Sequence, residues 1–375
     1  EQAVNHLWDA GWHTEAAHLA IALNYYGVLK TTDDIMCTDK NTVRFARFLQ
    51  VYSTQFQRTD PHATFEYLMQ LQLGDQAFRS ADQSSDRENL FFDAVGRLMV
   101  ETNCFEYLAG SVGPDGLSNR HAVASSSNAV LYRYLPETKV KLLLQRAAEY
   151  ALSLGQHPKA YDLFRLAGHW EMAVKILAQA MGMHLTEYEQ PSENRKKWFE
   201  VAAEFYRVYL ANDAPNQTVR SALATAARRR ASVIADCITP TDALTLMLTL
   251  YDFFDLMHQQ RWATALERLA ELRLLPEHEA DLHTCLQRVQ EYTTPPVDGQ
   301  TAALRVDHMR HILFGAMACR LNCHVSMRQR SPDPRAMNEN SRKARLMVDY
   351  AAQLPQTLHQ GDVLVELSRN LVKFC

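Results

Sequence analysis

The sequence contains little glycine, no closely paired cysteines and no long apolar run, and each shortage excludes a class of protein. Only 13 of the 375 residues are glycine, about half the usual share of roughly 7%. This scarcity disfavours glycine-rich phosphate-binding loops and β-sandwiches dense in turns. The seven cysteines are odd in number, widely spaced and free of any Cys-x-x-Cys motif. They therefore indicate reduced thiols in a cytosolic or nuclear protein, and not a disulfide scaffold.

Membrane, secretory and nucleic-acid signals are also missing. No window reaches roughly 18 uninterrupted apolar residues, so we expect no transmembrane segment. The first residues show neither the basic region nor the apolar stretch of a signal peptide. Lys and Arg total 39 against 43 Asp and Glu, for a net charge of -4. The chain lacks the basic excess that binding to a phosphate backbone requires, so we expect no direct nucleic-acid partner.

The pattern that is present is helical almost throughout. Apolar residues recur at three- and four-residue spacing, for example from Val43 to Phe56 and from Leu90 to Met99, whereas strand-like alternation is nearly absent. Such spacing predicts amphipathic helices. Helix-start signals agree, because Asp60 precedes Pro61 and a capping sequence begins at Thr239. The sequence therefore predicts an all-α fold.

Four turns share a pattern. In each, an Ala lies five residues after the first residue of the turn and begins an apolar stripe. The turns are Gly11-Trp12, Gly155, Gly168-His169-Trp170 and Gln260-Arg261-Trp262. A small Ala lets two antiparallel helices approach closely, so each unit is a predicted helix hairpin. The irregular spacing of the units favours an elongated, irregular α-solenoid of antiparallel helix hairpins over a single large bundle, which contains similar hairpins.

No change of composition divides the chain, so we expect one continuous unit over residues 1–375. Turn-forming residues predict two loops, at 110–127 and 327–341. The second loop contains Ser331 before a proline, which makes it either a tolerated insertion or a phosphorylation site. Because Glu1 already lies in a helical pattern, we also expect the chain to be the C-terminal portion of a longer protein.

One set of residues is a candidate for metal binding or cysteine catalysis. The set is His308, His311, Cys319, Cys323 and His324. The two pairs at its ends are about 12–16 Å apart along a straight helix, too far for one coordination sphere. Adjacent Cys323 and His324 point about 100° apart on a helix, which spoils a nucleophile and base pair. We expect no metal, cofactor or small-molecule substrate, and an α-helical metalloprotein or enzyme remains the less favoured alternative.

Two short basic runs, Arg195-Lys196-Lys197 and Arg228-Arg229-Arg230, fit solvated helix faces. A patch for an acidic partner or a localisation signal is the alternative.

The segment 241–259 is apolar on nearly every side. A helix of this kind is normally enclosed by other helices. The alternative is that one side forms a hydrophobic groove for a partner segment, lined by Phe253, Phe254, Met257 and Trp262. These four residues are the candidate partner-binding site.

Three stretches, taken together, resemble a known family. They are residues 19–29 (LAIALNYYGVL), residues 104–138, which run from CFEYL through the loop with Asp115-Gly116 to YLPET, and residues 160–168 (AYDLFRLAG). Their order and rough spacing are similar to those of the Nic family of large inner-ring scaffold nucleoporins, also called linker nucleoporins. The resemblance is strongest over residues 1–182 and weakens to the level of helical pattern beyond.

This resemblance implies a folded-back α-solenoid that acts as a structural scaffold subunit of the nuclear pore complex inner ring, without catalytic activity. The implied partners are linker and channel nucleoporins and other inner-ring scaffold subunits, and the implied location is the pore at the nuclear envelope. Nothing here matches the N-terminal coiled-coil segment of that family. A vesicle-coat or tethering α-solenoid is the alternative within the same architecture.

Overall fold

The fold was taken from a computed structural model, which describes most of the chain. The described residues are 2–29, 44–73, 81–112, 118–119, 129–211, 217–231, 238–295, 302–330, 333–355 and 361–374. They group into two compact units, Glu1–His169 and Trp170–Cys375, and each is treated by itself below. The expectation of one continuous unit over 1–375 stays a prediction, because an array of stacked hairpins can itself contain compact groups.

The described residues of the first unit form nine α-helices and one very short β-ladder. The helices are α1 (Gln2–Asp9), α2 (His13–Tyr25), α3 (Phe45–Thr54), α4 (Pro61–Leu73), α5 (Ala81–Thr102), α6 (Phe105–Ala109), α7 (Leu131–Tyr134), α8 (Glu137–Ser153) and α9 (His157–Ala167). The strands β1 (Ser111–Val112) and β2 (Ser118–Asn119) pair antiparallel. Consecutive helices contact each other from α1 to α5, and α8 packs against both α5 and α9.

The hairpin of α8 and α9 shows how the local sequence sets this architecture. Gly155 adopts a φ of 69°, a left-handed conformation that glycine adopts without steric cost. Its N–H donates to the carbonyl of Leu152 at 2.9 Å, and that of Gln156 donates to Ala151 at 2.9 Å. These bonds end α8 and reverse the chain, and Ala160 is then fully buried against the neighbouring helix. The predicted hairpin is confirmed.

The described residues of the second unit form another nine α-helices. They are α10 (Trp170–His184), α11 (Glu193–Phe205), α12 (Gln217–Ala231), α13 (Pro240–His258), α14 (Trp262–Glu271), α15 (Leu282–Thr293), α16 (Val306–Arg330), α17 (Pro334–Gln353) and α18 (Gly361–Val372). A π-helical turn, Tyr206–Leu210, extends α11, and a 3-10 turn, Glu279–Asp281, precedes α15. No helix in the described ranges has the length and apolarity needed to cross a membrane.

α13 forms the centre of the second unit. It begins at a capping box in which Thr239 and Asp242 bond reciprocally to each other's backbone N–H groups, and this satisfies donors that a helix start otherwise leaves free. The helix contacts α10, α11, α14 and α16. Its apolar side chains therefore pack on several sides, which explains why the sequence of this segment shows almost no polar face.

The predicted loop at 327–341 is wrong. α16 continues to Arg330 and α17 begins at Pro334. Asp333 caps α17, because its Oδ1 accepts the N–H of Arg335 at 2.9 Å, and Pro334 occupies the first helical position, where a missing N–H costs nothing. The turn-forming residues thus start a helix. Ser331 lies outside the described residues.

The other predicted loop, at 110–127, is only partly described. Gly110 ends α6 with a φ of 86°, and the short β-ladder follows. Residues 113–117 and 120–127 lie outside the described residues.

Candidate interaction surfaces

The candidate groove on α13 depends first on two phenylalanines, and both are in the core. Phe253 and Phe254 have 0% of their surface exposed. The ring of Phe254 is stacked on that of Tyr188, with centroids 4.5 Å apart and planes 7° apart. Phe253 approaches Gly315 of α16 so closely that a Cβ there would lie 3.1 Å from the ring.

The part of the groove hypothesis that rests on these two rings is therefore wrong. A partner segment cannot reach side chains that α10, α14 and α16 already enclose. Met257 and Trp262 are half-buried, and Met257 also packs against Gly315. A partner-binding role for Met257 and Trp262 stays a prediction.

His308 is buried and both of its ring nitrogens are occupied. Its Nδ1 accepts the backbone N–H of Arg305 at 3.3 Å. Its Nε2 lies 2.8 Å from the carbonyl oxygen of Gly182 and 3.1 Å from Nε of Arg305, so Nε2 donates to Gly182 in one tautomer and accepts from Arg305 in the other. Burial, together with the charge of Arg305, lowers the pKa of His308 to about 4. A neutral His308 therefore ties the start of α16 to α10, and neither nitrogen has a lone pair left for a metal.

The other members of that histidine and cysteine set also contribute to packing. Nδ1 of His311 lies 3.3 Å from the hydroxyl of Tyr188, and the His324 ring lies 5.1 Å from that of Phe374. Burial raises the pKa of Cys319 to about 12 and also raises that of Cys323. Thiols with a raised pKa stay protonated near neutral pH, which makes them poor nucleophiles. Among the described residues no group of three or more His, Cys, Asp or Glu converges as metal ligands would.

Arg195 is a buried structural side chain that the sequence interpretation assigned to a solvated face. Its side chain is 4% exposed, so the basic run does not form a solvated face at this position, whereas Lys196 and Lys197 are exposed. The guanidinium donates to Asp255 at 2.7 Å and lies 4.4 Å from the ring centroid of Tyr251. Arg195 thereby joins α11 to α13.

The position of Arg195 in the helix carries the signal that would have revealed it. Trp198 and Ala202 follow it by three and seven residues, and both are buried. This spacing defines one helix face, so Arg195 occupies an inward position of an apolar stripe.

A second, partly buried ionic cluster connects the loop before α15 with α16 and α17. Arg320 is 5% exposed and donates to Glu277 at 2.6 Å, while Lys343 lies 2.8 Å from the other oxygen of the same carboxylate. Burial alone would raise the pKa of Glu277. The bond from Lys343 and the charges of Lys343 and Arg320 outweigh this and hold that pKa below its usual value. Glu277 therefore stays ionised between two cations.

Each unit has exposed apolar side chains. On α2 and just after it, Tyr25 and Tyr26 are 65% and 75% exposed. On α18, Val365 and Val372 are 59% and 71% exposed. Exposed apolar surface is thus present on α2 and α18, whereas the charged and aromatic groups around α13 hold the second unit together.

Comparison with known proteins assigns this arrangement of helices to a family. A family model described as Nup93/Nic96 matches residues 1–361. The chain belongs to the Nup93/Nic96 family. The resemblance drawn from residues 19–29, 104–138 and 160–168 is confirmed, and the match extends well beyond the first 182 residues.

Individual relatives in the Nup93/Nic96 family are distant in sequence. Nucleoporin NIC96 from Chaetomium thermophilum is 25% identical over 379 aligned residues, which cover 94% of this chain and 32% of the relative. Nuclear pore complex protein Nup93 from Danio rerio is 23% identical over 234 residues, covering 62% of this chain and 24% of that protein. The chain spans about a third or less of the length of these curated relatives.

A solved structure agrees on the fold. The crystal structure of Chaetomium thermophilum Nic96 SOL superposes with a TM-score of 0.60 at 20% sequence identity, and the match covers 98% of this chain and 54% of that one. At this identity the likeness concerns the fold alone. The predicted all-α array of helix hairpins is confirmed.

Proposed function

We propose that the chain is part of a structural scaffold subunit of the nuclear pore complex inner ring, located at the nuclear envelope. The observation that carries this proposal is the match to the Nup93/Nic96 family over residues 1–361. The similarity to nucleoporin NIC96 over 94% of the chain supports it. The protein would contribute to nucleocytoplasmic transport by building the pore.

The proposed mode of action is binding through helical surfaces, without catalysis. A stack of helix hairpins exposes much surface for its length and can engage several partners side by side. The proposed partners are linker and channel nucleoporins and other inner-ring scaffold subunits. The buried His308 and the protonated thiols of Cys319 and Cys323 support a non-catalytic role, because these reactive side chains are used for packing.

Affinity capture tests the proposal. The full-length protein is tagged at its own locus, captured from gently lysed cells, and its partners are quantified by mass spectrometry. We expect scaffold and channel nucleoporins in near-equal amounts with the tagged protein. The same tag on an unrelated abundant protein serves as the control for non-specific capture.

Other outcomes would overturn the proposal in distinct ways. Capture of vesicle-coat or tethering subunits in stoichiometric amounts would agree with an α-solenoid scaffold but would contradict its assignment to the nuclear pore complex. Recovery of the tagged protein with no stoichiometric partner would contradict a scaffold role altogether.

A further inference from the structure

A short strap, residues 186–191, connects α10 to α11 and passes over Phe254 of α13. Its first four residues are half-buried and its last two are exposed. By contrast, Leu185 just before the strap and Phe254 beneath it are 0% exposed. The strap therefore has the helix core on its inner side and solvent on its outer side.

The backbone of the strap has few hydrogen bonds to the rest of the chain. Within residues 186–191, all of which the structure describes, a single bond joins two main-chain groups, from the N–H of Glu187 to the carbonyl of His184 at 3.3 Å. Segments with few backbone hydrogen bonds and an exposed outer side open at a lower free energy than core helices do. The strap therefore depends on its side chains for its position.

Tyr188 is the only aromatic side chain of the strap, and it contacts two helices of the core. Its ring is stacked on that of Phe254 and meets the His311 ring of α16 edge-on, with centroids 5.7 Å apart and planes 82° apart. Its hydroxyl lies 3.3 Å from Nδ1 of His311, which is long for a hydrogen bond. The ring of Tyr188 therefore holds the strap more firmly than its hydroxyl does.

The two ends of the strap are fixed without Tyr188. One carboxylate oxygen of Glu187 lies 2.9 Å from Nδ1 of His184 at the end of α10. The other oxygen accepts a hydrogen bond from the hydroxyl of Ser192, which itself accepts the N–H of Arg195 at 3.1 Å and caps α11. These bonds keep the end of α10 and the start of α11 in place when the ring of Tyr188 leaves Phe254.

We propose that the strap opens as a unit of its own, held closed by Tyr188, and that its opening uncovers one face of the Phe254 ring while the helices stay folded. Opening separates one stacked pair of rings, whereas unfolding of α13 would break its contacts with α10, α11, α14 and α16. The opening therefore requires much less free energy. Phe254 keeps its contact with the Phe253 ring, 4.9 Å away. The inference does not depend on the proposed function.

Limited proteolysis with a protease specific for glutamate is the first test, because Glu187 and Glu189 lie in the strap. Such cleavage follows the population of the open form. We expect the folded, unaltered chain to be cut in the strap, at a rate that changes little in dilute urea, since local opening exposes little surface. Fragment masses identify the cut. A strap that is never cut, or a rate that rises with urea as steeply as global unfolding, would overturn the proposal.

Substitution of Tyr188 tests whether its ring holds the strap closed. In Tyr188→Ala the strap should be cut at least about tenfold faster, because the stacked ring is gone. Tyr188→Phe keeps the ring and should stay within about threefold of the unaltered rate. Tyr206→Ala is the matched control, because Tyr206 is a half-buried tyrosine of the same unit outside the strap. Equal rates for Tyr188→Ala and this control would refute the role of the ring.

Hydrogen exchange separates an open strap from a loosened unit. In Tyr188→Ala the amides of α10, α13 and α16 should keep the protection that they have in the unaltered chain, because the proposed opening leaves these helices folded. Loss of protection throughout α13 and α16, or a Tyr188→Ala chain that does not fold, would contradict a local opening, since Tyr188 would then support the whole unit and not the strap alone.

Discussion

The two units share the helix hairpin but differ in the polar groups that their cores enclose. The buried polar side chains described in the first unit are small and uncharged, namely Asn24, Ser53 and Thr64. Those described in the second unit are Arg195, His308, Arg320, His324 and Asn340. A buried ionisable group needs its partner and a defined protonation state. The second unit should therefore respond more strongly to pH and to the loss of single contacts.

The largest effect is expected from the core of the second unit. Phe253→Ala removes a fully buried ring and should lower the free energy of unfolding by about 3–5 kcal/mol. Met183→Ala on α10 is the control, because Met183 is 40% exposed and should cost less than about 0.5 kcal/mol. Hydrogen exchange should show lost protection in α10, α13 and α16. Equal protection in both variants would contradict a central role of Phe253 in the core of the second unit.

A pH effect should distinguish the units. The pKa of His308 is about 4 in the folded chain and about 6.5 when unfolded. Its lowered pKa contributes stability that is complete above pH 6.5 and is lost as the pH falls towards 4. Between pH 7 and pH 5 the loss should be about 2 kcal/mol.

Urea unfolding of the unaltered chain and of His308→Gln checks this pH effect. Glutamine does not titrate. From pH 7 to pH 5 the free energy of unfolding of the unaltered chain should therefore fall by about 2 kcal/mol relative to that of the His308→Gln variant. The same charged or titratable groups, Arg305, Asp307 and His311, surround the site in both proteins, so the change in the difference reports mainly on His308. A constant difference across this range would show that His308 is protonated without penalty.

Each unit has a glycine where two helices pack closely, so the tightness of helix packing in the two units can be compared. A Cβ on Gly315 would lie 3.1 Å from Met257 Sδ and from the Phe253 ring. A Cβ on Gly96 of α5 would lie 3.4 Å from Ala147, which is nearly ordinary contact. Overpacking costs about 1–3 kcal/mol, whereas replacing a helical Gly by Ala gains about 1 kcal/mol.

Thermal unfolding should therefore show that Gly315→Ala and Gly96→Ala change the free energy of unfolding in opposite directions or by clearly different amounts. We expect a net loss of about 1 kcal/mol for the first and a change near zero or a small gain for the second. Equal losses would mean that α5 and α8 are packed as tightly as α13 and α16.

The smallest effect is expected at an exposed ion pair. Arg342 lies 3.2 Å from Glu279, and both side chains are more than two-thirds exposed, at 73% and 72%. Arg342→Ala should cost at most about 0.5 kcal/mol, in contrast to the buried Arg320. A larger loss in a urea titration at moderate salt would show that this surface pair belongs to the same network as Glu277.

The sequence predicts the hairpins well where the signals are local. Gly155 and Ala160 lie in one turn and its following helix, so their spacing is enough to place α8 against α9. The same local signals are ambiguous at Pro334, because a proline after an acidic residue either breaks a helix or starts one. Which of these occurs depends on whether the following residues find a partner helix.

The sequence predicts the candidate site poorly because burial depends on distant elements. Phe253 is enclosed partly by Gly315, some sixty residues later, and Arg195 is paired with Asp255 of another helix. The spacing from Arg195 to Trp198 and Ala202 shows that Arg195 faces inward, but nothing in the neighbouring sequence identifies Asp255 or Gly315 as the contacting residue. The apolar pattern of α13 indicates an interior helix but does not show which sides are covered, and the exposed faces at α2 and α18 escaped notice for the same reason.

Imaging of the full-length protein tests the central claim most directly. The protein is tagged at its own locus and viewed by super-resolution fluorescence together with a marker of the nuclear pore. The account predicts a punctate nuclear rim in which the protein coincides with individual pores. A vesicular pattern or a diffuse cytoplasmic signal, with a clear nuclear rim for the marker alone, would contradict it.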